Sequence, residues 1–222
     1  MISIPEDPTA VRLNVRSLTL TWTPSMLLNF LTCNEHGWRS HISIHEAGHA
    51  VAAIVLYFEF VEVFINPCGD IIEEMSKGLL TEAGGVTMVA KTKDWVSSRP
   101  EDALVFLLCG AVAEKLFFGH ALDQSSLGDL QVYRHGLGLT EETTREWVQQ
   151  KLEMALPRAW KLIRENEDKV RRIFDLLVEA IYSSKTETFN ERVSVSYGLV
   201  KSALNQNLQI SRQSGSAATL NP

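Results

Sequence analysis

What this chain lacks narrows its class before any motif is considered. Its three cysteines, Cys33, Cys68 and Cys109, are far apart and odd in number. That excludes a paired-cysteine metal knuckle and argues against a disulfide framework, so a reducing, cytoplasmic setting is expected. No apolar run approaches the ~18 residues of a membrane span, the longest, Ala50 to Phe58, being about half that length. The opening residues MISIPEDPTAVRLNV carry acids and two prolines where a secretory leader needs a basic start and an apolar core, so neither secretion nor a membrane segment is expected. Lysine and arginine number 21 against 27 aspartates and glutamates, for a net charge of −6, and the basic residues are scattered. This leaves no electrostatic footprint for nucleic acid and directs attention to polypeptide or small-molecule partners. A GxxxxGK[ST] loop is also missing, so no means of binding and hydrolysing ATP is visible, and there is no internal repeat.

What is present suits one substantial core: 222 residues, 45% hydrophobic and 22% charged. VRLNVRSLTLTW, Val11 to Trp22, alternates in two phases and predicts a half-buried strand with a bulge near Arg16 and Ser17. A helix is expected from about Ser40 to Phe58, then a strand over Val61 to Pro67. AGGVTMVAKT, Ala83 to Thr92, predicts a turn opening into a second strand. Pro100 and Gly119 bracket a strongly apolar helix, EDALVFLLCGAVAEKLFFG. From Ser126 onwards the pattern is almost entirely helical: Thr140 can cap a helix, Pro157 should kink or divide it, and DKVRRIFDLLVEAIY has one apolar face. A last short helix is expected from Thr188, with Glu191 at the capping-box position, followed by a small, polar, disordered tail.

The chemistry concentrates in HEAGH, His45 to His49. Histidines four apart on a helix share one face, one turn above each other, so both imidazoles can bind one zinc ion. A glutamate directly after the first histidine falls beside that face, placed to take a proton from metal-activated water without ligating the metal. Gly48 costs about 1 kcal/mol against alanine inside a helix, which is easier to explain if something approaches the backbone closely there. His41 extends the face by a further turn, but eight residues of helix rise about 12 Å and zinc ligands stand about 2 Å from the ion, so it cannot share a site with His49. Ser43 and Glu46 also fit a capping box. That would leave His45 in a fraying first turn, so Ser40 is the preferred start.

A catalytic zinc needs a third protein ligand and an open position. Glu73 and Glu74 form a charge run in a polar segment, the pattern of solvated surface. Glu114, on the apolar helix, can be a ligand or a structural ion-pair member. Asp129, in SSLGDLQVY, opens a helix and is either an N-terminal acid or a ligand. The residues alone leave these alternatives open.

The ordered set HEAGHAVAA, GGVTM, LLCGAVAEKLFFG and SSLGDLQ resembles the peptidase domain of the FtsH family of ATP-dependent zinc metallopeptidases, over roughly Ser40 to Leu204. The resemblance implies one catalytic zinc ion held by His45, His49 and Asp129, with Glu46 as the general base. It also implies that GGVTM is the strand that pairs with an extended substrate backbone, which makes Gly85, Val86 and Thr87 the expected substrate-binding residues. The late segments ENEDKVRRIFDLLVEA and TETF resemble the family's structural helices.

There are departures as well. About 39 unrelated residues stand where the family carries membrane segments and an ATPase module, and the segment from Cys68 to Gly84 is longer and more irregular than the family pattern. ATP dependence and ring assembly are therefore not carried over.

The expected fold is mainly α with a small β element near the active site. Its parts are a strand-containing N-terminal extension (1–39), a zinc metallopeptidase domain (40–204) and a disordered tail (205–222). The expected function is zinc-dependent hydrolysis of unfolded or flexible polypeptides. The alternative is a non-catalytic or weakly catalytic zinc-binding regulatory module that acts with a separate ATPase. Expected partners are a polypeptide substrate and a separate unfoldase or a second copy of the chain, with no nucleic acid.

Overall fold

A computed structural model describes residues 35–66, 84–119, 121, 123–139, 145–183 and 192–214. In chain order these form α1 (Glu35–Val55), β1 (Phe60–Ile65), β2 (Gly84–Met88), α2 (Thr92–Ser98), α3 (Pro100–Phe118), α4 (Asp123–Leu137), α5 (Arg145–Glu165), α6 (Glu167–Ser183), β3 (Val193–Ser196) and α7 (Tyr197–Ser214). The described fold is thus mainly helical with one small sheet, as the sequence predicts. None of the described helices is long and apolar enough to cross a membrane.

The central element is α3, buried continuously from Ala103 to Glu114. A helix apolar all round must be enclosed on all sides, and α3 is packed against α1, α4 and α5. Pro100 sits in its first turn, where the missing N–H costs nothing, and Glu101 and Asp102 complement the helix dipole there. Gly119 ends it in the left-handed region (φ 78°), donating its N–H to the Lys115 carbonyl at 3.0 Å.

Across α3 lies α1, with Ala47, Ala50, Val51, Ala52 and Ala53 at zero exposure. Small residues let the two backbones approach. A Cβ on Gly48 would lie 2.5 Å from the Cys109 carbonyl oxygen and 2.8 Å from Ala113 Cβ, so this glycine answers to a helix crossing. Val51, Val105 and Val112 are also buried among these elements, each contributing about 1.5–3 kcal/mol by burial.

The three strands are ordered β2-β1-β3, all pairings antiparallel. Val63 pairs with Val86 and Val195, and Ile65 with Gly84 and Val193. Among the described residues β1 is therefore central and β2 lies at an edge of the sheet. The sheet is carried by α1 and α6.

Several boundaries differ from the sequence reading. α1 begins at Glu35 rather than Ser40 and ends at Val55, because Tyr57 turns the chain into β1 with φ 58°. Ser43 lies well inside α1, fully buried, so it caps nothing. The expected second strand stops at Met88, and the short helix α2 follows, with only Trp95 and Val96 buried to mark it. Pro157 lies within α5 and does not divide it. The almost entirely helical stretch after Ser126 is interrupted by a strand, in which Val193 and Val195 alternate with Ser194 and Ser196, and the last described helix runs from Tyr197. It extends through Ser214, past residue 205 where the tail was expected to begin. The strand at Val11–Trp22, the cap at Thr140, and Cys33, Cys68, Glu73, Glu74, Thr188 and Glu191 lie outside the described residues.

Candidate metal centre

One turn apart on α1, His45 and His49 bring their Nε2 atoms to 2.9 Å from each other. What holds each ring is on its far side. His49 Nδ1 lies 2.9 Å from the main-chain carbonyl of Phe106, which can only accept, so Nδ1 is the protonated nitrogen. His45 Nδ1 lies 2.6 Å from Glu114 Oε1 and donates to that carboxylate. In their neutral forms both histidines therefore turn unprotonated Nε2 lone pairs towards the same point.

Asp129 completes the group from α4. Its Oδ2 lies 3.2 Å from His45 Nε2 and 3.3 Å from His49 Nε2. Neither approach has hydrogen-bond geometry, so this buried oxygen lacks a hydrogen-bond partner. Asp129 is the seventh residue of α4, not its opening residue, because the helix starts at Asp123. An N-terminal dipole role is thereby ruled out. The helix is set by a close contact with α2: a Cβ on Gly136 would fall 2.6 Å from Val96 Cβ.

Three lone-pair donors converging within about 3 Å repel one another unless something positive sits among them. N and O donors about 2.0–2.1 Å from a tetrahedral ion stand about 3.3 Å apart, close to the observed spacings. Behind the donors the wall is bare backbone: a Cβ on Gly110 of α3 would lie 2.5 Å from His45 Nε2 and 2.6 Å from His49 Nε2. His45, His49 and Asp129 form a group that could hold a metal ion.

The electrostatics of the metal-free group agree. Burial pushes the His45 imidazole down, but Asp129 and Glu114 outweigh it and hold its pKa well above the ordinary histidine value. Burial pushes the Asp129 carboxyl up, yet His49 and His45 prevail and bring it down to about 2. A positive charge is favoured at this point, and without a cation a proton supplies it.

Glu46 stands apart from this set. It is 5% exposed, and its Oε2 is buried with no hydrogen-bond partner. Burial raises its pKa to about 7, against the opposing pull of His45 and His49. An ionisable carboxyl beside a metal group, with an oxygen free to accept, has the chemistry of a general base.

Of the other sequence candidates, Glu114 is not among the converging donors. It is fully buried, with Oε1 on His45 and Oε2 3.8 Å from His41 Nδ1, and it resolves in favour of the ion-pair role. His41 likewise stands off, its ring 4.2 Å from that of Phe118. Gly85, Val86 and Thr87 lie in the half-buried edge strand β2, paired with Phe64, Val63 and Glu62. At the start of that strand, a Cβ on Gly84 would lie 3.0 Å from Glu46 Cγ.

Sequence reasoning missed Gly110 and the Phe106 carbonyl. The carbonyl leaves no trace in the side chains. Gly110 was discoverable, standing one turn before Glu114 on the same helix face, a glycine inside a buried helix. Comparison of the chain with protein-family models and with curated proteins finds no match.

Proposed function

We propose that the protein is a zinc-dependent metalloendopeptidase that hydrolyses peptide bonds of unfolded or flexible polypeptides, with an FtsH-like peptidase site. The observation that carries this reading is a buried carboxylate with no partner for its Oε2, Glu46, next in sequence to one of three converging metal donors. Zinc is favoured over harder cations by two imidazoles and one carboxylate at tetrahedral spacing. When bound, it supplies Lewis acidity, which acidifies water and polarises a carbonyl.

The chain's own residues do the rest. His45 and His49 keep their Nε2 atoms free because Glu114 and the Phe106 carbonyl engage Nδ1. Glu46 accepts the proton of the attacking water and returns it to the leaving amine as the C–N bond breaks. β2, the edge strand, offers main-chain groups to an extended polypeptide, with Gly85, Val86 and Thr87 along it. Main-chain pairing binds with little dependence on side chains, which suits unfolded substrates.

The test is cleavage of a reduced, alkylated protein by zinc-loaded wild type and Glu46→Gln. The variant should retain zinc and lose about 10²–10⁴-fold in rate. Equal rates would sink the peptidase reading and favour a zinc-binding regulatory module. Metal analysis of Asp129→Ala should show zinc lost, and retained stoichiometric zinc would overturn the ligand assignment.

A further inference from the structure

The two glycines that open β2 look alike in sequence but meet different neighbours. The three atoms nearest a Cβ on Gly85 would all belong to the Phe64 ring, with Cζ at 2.8 Å. A Cβ on Gly84 would instead meet three groups from two elements at once: Ile42 Cγ2 of α1 at 2.8 Å, the backbone carbonyl oxygen of Phe64 in β1 at 2.9 Å, and Glu46 Cγ, also of α1, at 3.0 Å. The bare backbone of Gly84 is therefore in contact with the stem of Glu46.

Glu46 needs such a wall. Its Oε2 has no hydrogen-bond partner, so no polar contact at that atom helps to aim the carboxylate, and packing has to do so. On one side the stem belongs to α1, where Ile42, one turn earlier, is buried. On the other it meets β2, which is also the strand that offers its edge to an extended chain.

We infer that Gly84 is the positioning residue that fixes the distance between the general base and the polypeptide-pairing strand. This deepens the peptidase reading and rests on it. Any side chain at position 84 either pushes the Glu46 stem back or lifts β2 away from α1. In both cases the carboxylate and a bond lying along β2 lose their register, whereas none of the donors His45, His49 and Asp129 is among the three atoms nearest a Cβ at position 84. Catalytic geometry has to be held within about 0.5 Å, and a displacement of about 1 Å can cost on the order of 100-fold.

The experiment compares wild type with Gly84→Ala by three measurements: zinc affinity against a competing chelator, kcat and KM on an internally quenched peptide, and the crystal structure of the zinc-loaded protein. Zinc affinity should be unchanged, kcat should fall at least tenfold with KM within about threefold, and the gap between Glu46 Cγ and the residue 84 Cα should widen by about 0.5 Å. A merely structural role would lower thermal stability without separating kcat from KM. If Gly84→Ala does not fold, Ile42→Ala with Gly84→Ala removes the nearest obstruction, and its comparison with Ile42→Ala alone carries the same readouts. An unchanged kcat, or an unchanged gap, overturns the inference while leaving the peptidase reading in place. A wild type that cleaves nothing sinks the peptidase reading, and the widened or unwidened gap still decides whether Gly84 sets the position of Glu46.

Discussion

Two buried glutamates flank the metal donors, and their surroundings are opposite. Glu114, behind the histidines at the α1–α3 crossing, has a partner for Oε1 in His45 and stands near His41. Glu46, in front and against β2, has an Oε2 with no hydrogen-bond partner and a pKa raised to about 7. Burial of a carboxylate costs free energy in both places. Behind the donors that cost is offset by a charge-assisted hydrogen bond, which fixes a ring. In front it is left standing, and the proposed general base rests on that difference. Under the proposed function, the contrast separates the part of the site that would hold the metal from the part that would act.

The strongest way to break this contrast is to fill the space behind the donors. Gly110→Ala places a methyl group where both Nε2 atoms converge. Alanine is the better helix former by about 1 kcal/mol, and overpacking costs about 1–3 kcal/mol, so the metal-free protein should still fold. Its metal affinity should fall by at least about 1,000-fold, because donors displaced by a methyl group cannot close on one ion. Equilibrium dialysis against zinc reads this directly. Wild-type affinity would show that the donors converge elsewhere.

A milder perturbation removes the holding carboxylate. Glu114→Ala takes away the acceptor on His45 Nδ1, and loss of such a partner weakens metal binding by about 10–100-fold. Glu114→Gln keeps an oxygen that can accept the same hydrogen bond and should recover much of the loss. Competition with a chromogenic chelator ranks the three proteins. A Glu114→Gln variant as weak as Glu114→Ala would mean that the negative charge, and not the hydrogen bond, is what His45 requires.

The same contrast explains what could be read from the sequence. The helix spacing of His45 and His49, the Pro100 and Gly119 boundaries of α3, and the β-branched and aromatic run of β1 are local, and each is found about where the residues predict. Asp129 lies 80 residues beyond His49 in sequence, and no local pattern brings it there; only the resemblance of ordered segments singled it out. Glu114 stayed ambiguous because a ligand and an ion-pair partner look the same on a buried helix face. The β3 strand was missed because its four residues, VSVS, are too few to outweigh the helical pattern on either side. Gly48 was expected to meet a close backbone approach and does, but from α3.

The smallest expected effect is on the stability of the metal-free protein, and it tests whether Glu46 truly lacks compensation. Its folded-state pKa lies near 7 against an ordinary 4.5, with burial as the largest cause. The shift is upward, so stability is fullest below the ordinary value and declines as pH rises through about 7, when a buried charge must form. The full loss is on the order of 3 kcal/mol. His45 acts in the same direction, because its pKa is also raised, whereas Asp129, held at about 2, contributes its change only at lower pH. Wild type alone therefore cannot isolate Glu46, but the difference from Glu46→Gln can. A buried glutamine carries its own desolvation cost, which does not vary with pH, so the comparison rests on slope. Between pH 5 and 8, chemical denaturation of the metal-free proteins should show wild type losing stability more steeply than the variant. Metal must be absent, since a nearby cation favours the ionised carboxylate. Parallel curves would mean that Glu46 has a compensating partner in solution, and the two glutamates would no longer differ in kind.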